Sequence, residues 1–197
     1  MTIKRYFLSL ILLLTVAVSA AGKGMGTWKS YLSYSNIQWV EQGGNKLYVL
    51  ASSSLYSYNK NDKSIQTYDK TSGLSDMDIR FIGWNKPARR LVIVYSDYNI
   101  DLLDDKGNVT NVPDYYLKML TVDKTVNGID MSGTDCYLST GFGLVRLNVA
   151  KAEVTDSYNL AFNVSYSYIE NGYIYAASPT NGLYRALLTA NLLDRNN

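Results

Sequence analysis

Histidine is absent from all 197 residues, which removes the Ser-His-Asp and Cys-His nucleophile pairs and the usual zinc ligand sets. Cysteine occurs once, at Cys136, so no intramolecular disulfide can form and stability must come from a packed core. Its neighbours Tyr137 and Leu138 read as strand, where a lone cysteine serves as a small buried hydrophobe. The electropositive, accessible setting that activates a thiol is missing from the local sequence. A Gly-rich loop followed by Lys-Ser or Lys-Thr is also missing. The glycines of "STGFGL" (139 to 144) sit between two strands, whereas a phosphate site wants a helix N-terminus.

Long apolar runs are confined to the beginning. Lys4 and Arg5 precede an apolar stretch from Tyr6 to Val18, and Ser19, Ala20, Ala21 and Gly22 follow, the layout of a secretory signal peptide. The core is short for a bilayer span, and nothing later approaches the length of a spanning helix. The expectation is a signal peptide over residues 1–21, then an exported chain over 22–197 with no transmembrane span after signal removal. Cleavage there takes away Lys4 and Arg5 and no acid, so 19 basic residues become 17 against 17 acidic ones. A mature charge near zero, with no basic cluster beyond Arg89-Arg90, argues against nucleic acid as a partner.

What is abundant is tyrosine, with 18 residues, among many Val, Ile, Leu and Thr, a composition that suits half-buried strands. These residues fall in a repeat. "LYVLASSSLYSYN" (47–59), "LVIVYSDYNIDLLD" (91–104), "CYLSTGFGLVRLNV" (136–149) and "YIYAASPTNGLYRA" (173–186) share one grammar: an apolar strand, a turn of Ser, Asn, Asp or Gly, and a second strand. Leu47, Leu91 and Cys136 are spaced by 44 and 45 residues, and Ile174 follows 38 further on. A first strand precedes each pair ("IQWVEQGG", "IRFIGWNKPAR", "VNGIDMSGTD", "VSYSYIENG"), and a polar outer segment follows in the earlier units. Four short strands in about 44 residues is the economy of a propeller blade.

The predicted fold class is therefore all-β, a β-propeller of about four blade-like four-stranded units, read as the first part of a larger propeller because the fourth unit reaches "RALLTANLLDRNN" without an outer strand. An edge left open in this way is expected to aggregate or to seek a partner. Helical pattern is confined to "DYYLKMLT" (114–121) and "NLLDRNN" (191–197). In the interblade segments "SGLSDMDI" (72–79) and "DKTVNGI" (123–129), Asp, Ser and Asn are placed to bond neighbouring backbone groups and hold the loops.

Carboxylates are the remaining route to catalysis. Asp101, Asp104 and Asp105 in "DLLDDKGN" lack the alternating ligands and distal Glu of a calcium loop, and "DDKGN" reads as a hairpin turn. A spaced acid pair of glycosidase type is the weaker reading beside solvated turn acids. No catalytic residue, metal site or cofactor is expected. Tyr98, Tyr115, Tyr116 and Phe142 lie in or near the inferred loops and are the candidate ligand-binding residues, as rings for stacking on sugars; packing between blades is the alternative use of the same rings.

The ordered phrases "TWKSYLSYSNI", "LYVLASSSLYSYNKNDKSIQTYDKTSGLSDMDI", "LVIVYSDYNIDLL", "DKTVNGI" and "CYLSTGFGLVRLNVAKAEVTDSYNL" resemble the N-terminal propeller of PorZ-like proteins, accessory components of the bacterial type IX secretion system. The resemblance runs from about Trp28 to Tyr184 and rests on the series rather than on any one phrase. It implies a non-catalytic protein at the cell surface, outer-membrane-associated or periplasmic, built of two propellers and a C-terminal β-domain. It also implies a role in cargo sorting and attachment, with secretion-system proteins and surface lipopolysaccharide or other glycan as partners. The blade grammar is similar as well to the periplasmic glycan-sensing propellers of hybrid two-component regulators, and an exported carbohydrate-active enzyme on a propeller is the third class. No family site motif transfers residue by residue.

Overall fold

Alternation along the central strands decides how this chain packs. In the computed structural model, which describes residues 31–195 and 197, the strand Arg90–Tyr95 is flanked by a sheet on either side. Leu91, Ile93 and Tyr95 enter the core shared with the preceding sheet, and Val92 and Val94 enter the core shared with the next. Successive strand side chains point to opposite faces, so a run apolar at every position can only be satisfied between two neighbours.

Fifteen strands make up the described part of the unit 32–197. The first sheet holds β1 (Ile37–Gly43), β2 (Lys46–Ala51), β3 (Ser54–Asn59) and β4 (Ile65–Tyr68); the second holds β5 (Ile79–Asn85), β6 (Arg90–Tyr95), β7 (Ile100–Asp104) and β8 (Val109–Asn111). The third holds β9 (Val126–Ser132), β10 (Asp135–Thr140), β11 (Gly143–Asn148) and β12 (Glu153–Asn159), and the fourth β13 (Tyr166–Glu170), β14 (Tyr173–Ser178) and β15 (Gly182–Leu187). Every sheet is an antiparallel meander in chain order. The first strands β1, β5, β9 and β13 neighbour one another in that sequence, so four propeller blades stand around an inner wall made of these strands.

Three apolar cores sit between the blades. Leu50, Leu55 and Tyr68 meet Ile79, Ile82 and Leu91 between the first and second. Ile100 and Leu102 meet Cys136, Leu138 and Val145 between the second and third. Tyr137 and Leu144 meet Ile174 and Ala176 between the third and fourth. Cys136 is wholly buried in this arrangement and burial pushes its thiol pKa up, in keeping with a packing role. The fourth blade has three strands, as its sequence suggests. Its outward face carries Tyr168 stacked on Tyr175 at 4.5 Å and the Arg185 guanidinium 4.9 Å from the Tyr173 ring.

The interblade connections are held as their polar residues predict. Asp69 caps the 3-10 turn Lys70–Ser72, its carboxylate accepting from the Thr71 and Ser72 amides, with Gly73 left-handed at the exit. The Asp123 carboxylate accepts from the Thr125 amide and hydroxyl at 2.9 and 2.7 Å. The connection between the second and third blades carries the one short helix among the described residues, α1 (Asp114–Leu117), while the described residues of 191–197 form turns rather than a helix. The segment read as a signal peptide, residues 1–21, lies outside the described residues.

Among the described residues, one buried side-chain polar atom is unsatisfied. Tyr48 is fully buried with its ring stacked on Trp84 at 5.6 Å, yet its hydroxyl has no partner. An unpaired buried hydroxyl costs about 1–3 kcal/mol, so Tyr48→Phe is expected to raise stability by about 1 kcal/mol and the thermal midpoint by about 2–4 °C. A thermal scan followed by circular dichroism checks this, and a lowered midpoint would contradict it.

Candidate functional site

Three of the four aromatic residues singled out by sequence, Tyr98, Tyr115 and Phe142, come together in a core, and the fourth, Tyr116, is exposed. Tyr115 and Phe142 are buried in the core between the second and third blades, with Tyr98 packed partly against it. Tyr98 meets Tyr115 edge-on at 6.4 Å. Between these two rings and the loop lies Lys124, its Nζ 5.1 Å from the Tyr115 centroid and 5.8 Å from that of Tyr98. The ammonium donates to the carbonyls of Tyr116 and Lys118 at 2.9 and 3.0 Å, and the Tyr115 hydroxyl donates to the Lys124 carbonyl at 2.8 Å. Desolvation holds the Lys124 pKa below the usual lysine range. The result is a pinned loop that presents Tyr116, Leu117 and Met119 outward, Met119 being 96 % exposed.

The three acids of "DLLDDKGN" take separate tasks. Asp104 accepts from the amides of Lys106 and Asn108 and from the Asn108 side chain, closing the turn at Gly107. Asp105 pairs with Arg89. Asp101 is fully buried. Its Oδ2 accepts from the Ser75 amide at 2.7 Å and the Tyr95 hydroxyl at 2.6 Å, its Oδ1 from the Ser75 hydroxyl at 2.7 Å and the Asn111 amide at 2.8 Å. Both oxygens are thus engaged in tying the connection between the first two blades to β6 and β8. Among the described residues no group of three or more His, Cys, Asp or Glu could hold a metal ion.

The inner strands enclose a void of about 590 Å³, within the size range of ligand sites. Three of them carry a β-bulge at the same place, with Gln38, Arg80 and Asn127 as the extra residue, and bulges re-aim side chains near functional sites. Counting on from the bulges, Trp39, Phe81, Gly128 and Tyr166 occupy one level of the wall and Glu41, Gly83, Asp130 and Tyr168 the next. All but Tyr168 line the void. The Trp39 indole donates to Glu41 Oε1 at 2.7 Å, and burial raises the Asp130 carboxyl pKa. Sequence reasoning passed over these residues, although a Trp and an acid two residues apart on one strand are a readable signal. A second void, of about 490 Å³ between the turns of the first two blades, is lined by Lys46, Lys86 and Arg89 together with Asp105, the partner of Arg89.

The family model of the N-terminal β-propeller domain of PorZ, a type IX secretion component, matches residues 47–197. The chain belongs to that family. Among solved structures it is similar to PorZ of Porphyromonas gingivalis, described as an essential bacterial surface component of the type IX secretion system. The identity is 31 % and the TM-score 0.76, over 87 % of this chain and 23 % of that one. This PorZ-type propeller thus spans under a quarter of that relative's length. The extracellular domain of a hybrid two component system from B. thetaiotaomicron matches at 15 % identity with TM-score 0.60, over 81 % of this chain and 21 % of that one. The computationally designed Ika4 protein matches at 8 % with TM-score 0.59, over 83 % and 99 %. These last two share the fold alone. No curated protein sequence matches the chain.

Proposed function

We propose that this chain is a non-catalytic, exported binding and assembly module of the type IX secretion system, assisting cargo sorting and attachment at the cell surface. The observation that carries the reading is the match of residues 47–197 to the PorZ N-terminal propeller. The internal chemistry is consistent with it: histidine is absent, and the buried Asp101 has both oxygens committed to structure. In this proposal residues 1–21 are removed as the chain is exported, and residues 22–197 form part of a longer propeller. Further blades then cover the outward faces of β1 and β15, and secretion-system proteins dock on the exposed loops. The pinned loop with Tyr116, Leu117 and Met119 is the apolar surface offered for such contact, and the Lys46 and Lys86 ammonium groups, beside the Arg89–Asp105 pair, are suited to an anionic glycan.

The test is co-isolation. The tagged full-length protein, crosslinked on intact cells and recovered from the outer-membrane fraction, is expected to carry other components of the secretion apparatus. Recovery only as a soluble periplasmic protein without any of them would overturn the proposal.

A further inference from the structure

We infer that the void inside the inner wall is a receptor for a protonated side chain, a lysine or arginine of a peptide segment, held between the rings of Trp39 and Tyr166 and the carboxylates of Glu41 and Asp130. The inner wall repeats level by level. At one level stand Trp39 and Tyr166 on the first and fourth inner strands, 57 % and 53 % exposed, so that neither ring is used up in a core. Gly128 at the same level lines the void and has no neighbour nearer than 3.6 Å to where a Cβ would stand, which leaves room beside the Tyr166 ring.

The carboxylates decide the sign of the guest. Glu41 and Asp130 sit two residues beyond the ring level on the first and third inner strands, and neither is in an ion pair among the described residues. Glu41 is oriented by the Trp39 indole at 2.7 Å. Asp130 is half-buried, and its surroundings disfavour its charge through desolvation, a cost that an incoming cation offsets. Arg80 is the one basic side chain on the lining, and its guanidinium lies 5.5 Å from the Phe81 ring. Two carboxylates against one guanidinium leave the wall negative.

Rings together with unneutralised carboxylates select a cation carried on an organic side chain. Indole is the strongest ring for cation–π attraction, which is worth about 0.5–2 kcal/mol depending on desolvation. A neutral sugar would use the rings and leave both carboxylates unneutralised. A bare metal ion would gain little from the rings and finds no three-ligand group here. A void of about 590 Å³ has room for a long side chain and the backbone that carries it.

The experiment uses the mature full chain, with tryptophan fluorescence and calorimetry as readouts. The probes are acetyl-Gly-Arg-Gly-amide, acetyl-Gly-Lys-Gly-amide, the citrulline analogue as a neutral isostere of arginine, and a neutral oligosaccharide. Saturable binding of the two cationic peptides is expected, with the citrulline peptide at least about tenfold weaker. Trp39→Ala and the pair Glu41→Gln with Asp130→Asn are each expected to weaken the arginine peptide by about tenfold. Trp39 and Glu41 are not core residues, so these variants are expected to fold, and unchanged circular dichroism verifies it. Equal affinity for arginine and citrulline, saccharide binding that ignores the carboxylate substitutions, or no saturable binding of either cationic peptide would each overturn the inference.

Discussion

Asp101→Ala is expected to destabilise the protein by about 4 kcal/mol, which for a chain of this size lowers the thermal midpoint by about 10 °C. The carboxylate is fully buried and accepts four hydrogen bonds, from the Ser75 amide and hydroxyl, the Tyr95 hydroxyl and the Asn111 amide. Removing it discards charge-assisted bonds worth about 1.5–3 kcal/mol each, which do not add in full. It also strands the hydroxyl of Tyr95, a residue 1 % exposed, without its partner. Because Ser75 belongs to the connection between the first and second blades, the damage should spread to that interface, where Leu74 and Ile79 are packed. Asp101→Asn keeps the shape but presents an amide to donors that need an acceptor, and should fall between wild type and alanine. Urea unfolding of the three proteins reads the order. An alanine variant within 1 kcal/mol of wild type would show that the network contributes little.

Gly143→Ala is expected to cost about 3 kcal/mol or more, through a steric clash added to a backbone conformation that side chains rarely adopt. Gly143 opens β11 with φ at 150°, and a Cβ there would collide with the Tyr158 carbonyl and stand 2.8 Å from the Leu160 nitrogen. These are backbone atoms of the paired strand and the residue that follows it, so they cannot step aside without breaking the β11–β12 edge and the bond from the Leu160 amide to the Phe142 carbonyl. Gly44→Ala is the control. Gly44 is left-handed at φ 56° with nothing within 4 Å of a built Cβ, so only the backbone penalty of about 1–2 kcal/mol applies. Thermal unfolding should separate the two by several degrees; equal losses would mean that Gly143 is required for its conformation and not for the close approach.

The blade repeat was legible because its causes are local. Turn residues at fixed intervals and central strands apolar at every position, as in Leu91–Tyr95, imply sheets covered on both faces, and the three interblade cores bear this out. The polar interblade residues were legible for the same reason, since Asp76 and Asp123 accept from amides within two residues of themselves. What sequence did not reveal is long-range. Tyr115 and Phe142 sit in loops by pattern yet are buried: Tyr115 because the connection 112–125 folds back onto the blade core and is pinned there by Lys124, and Phe142 because it enters the same core from the β10–β11 turn. Asp101 resembled a turn acid beside Asp104, but strand alternation turns it toward Ser75, 26 residues away. The inner wall stayed hidden because Trp39, Glu41, Asp130 and Tyr166 are brought to one void only by the side-by-side packing of four blades.

The central claim is that this PorZ-type propeller serves protein secretion by binding rather than by catalysis. Its most direct measurement is deletion of the gene in the host cell, with secreted cargo followed for signal cleavage and surface attachment, and with the gene restored as wild type or as Trp39→Ala. The account expects unprocessed or released cargo in the deletion strain and full rescue by the wild-type gene. Normal processing and attachment of cargo in cells that lack the gene would contradict it.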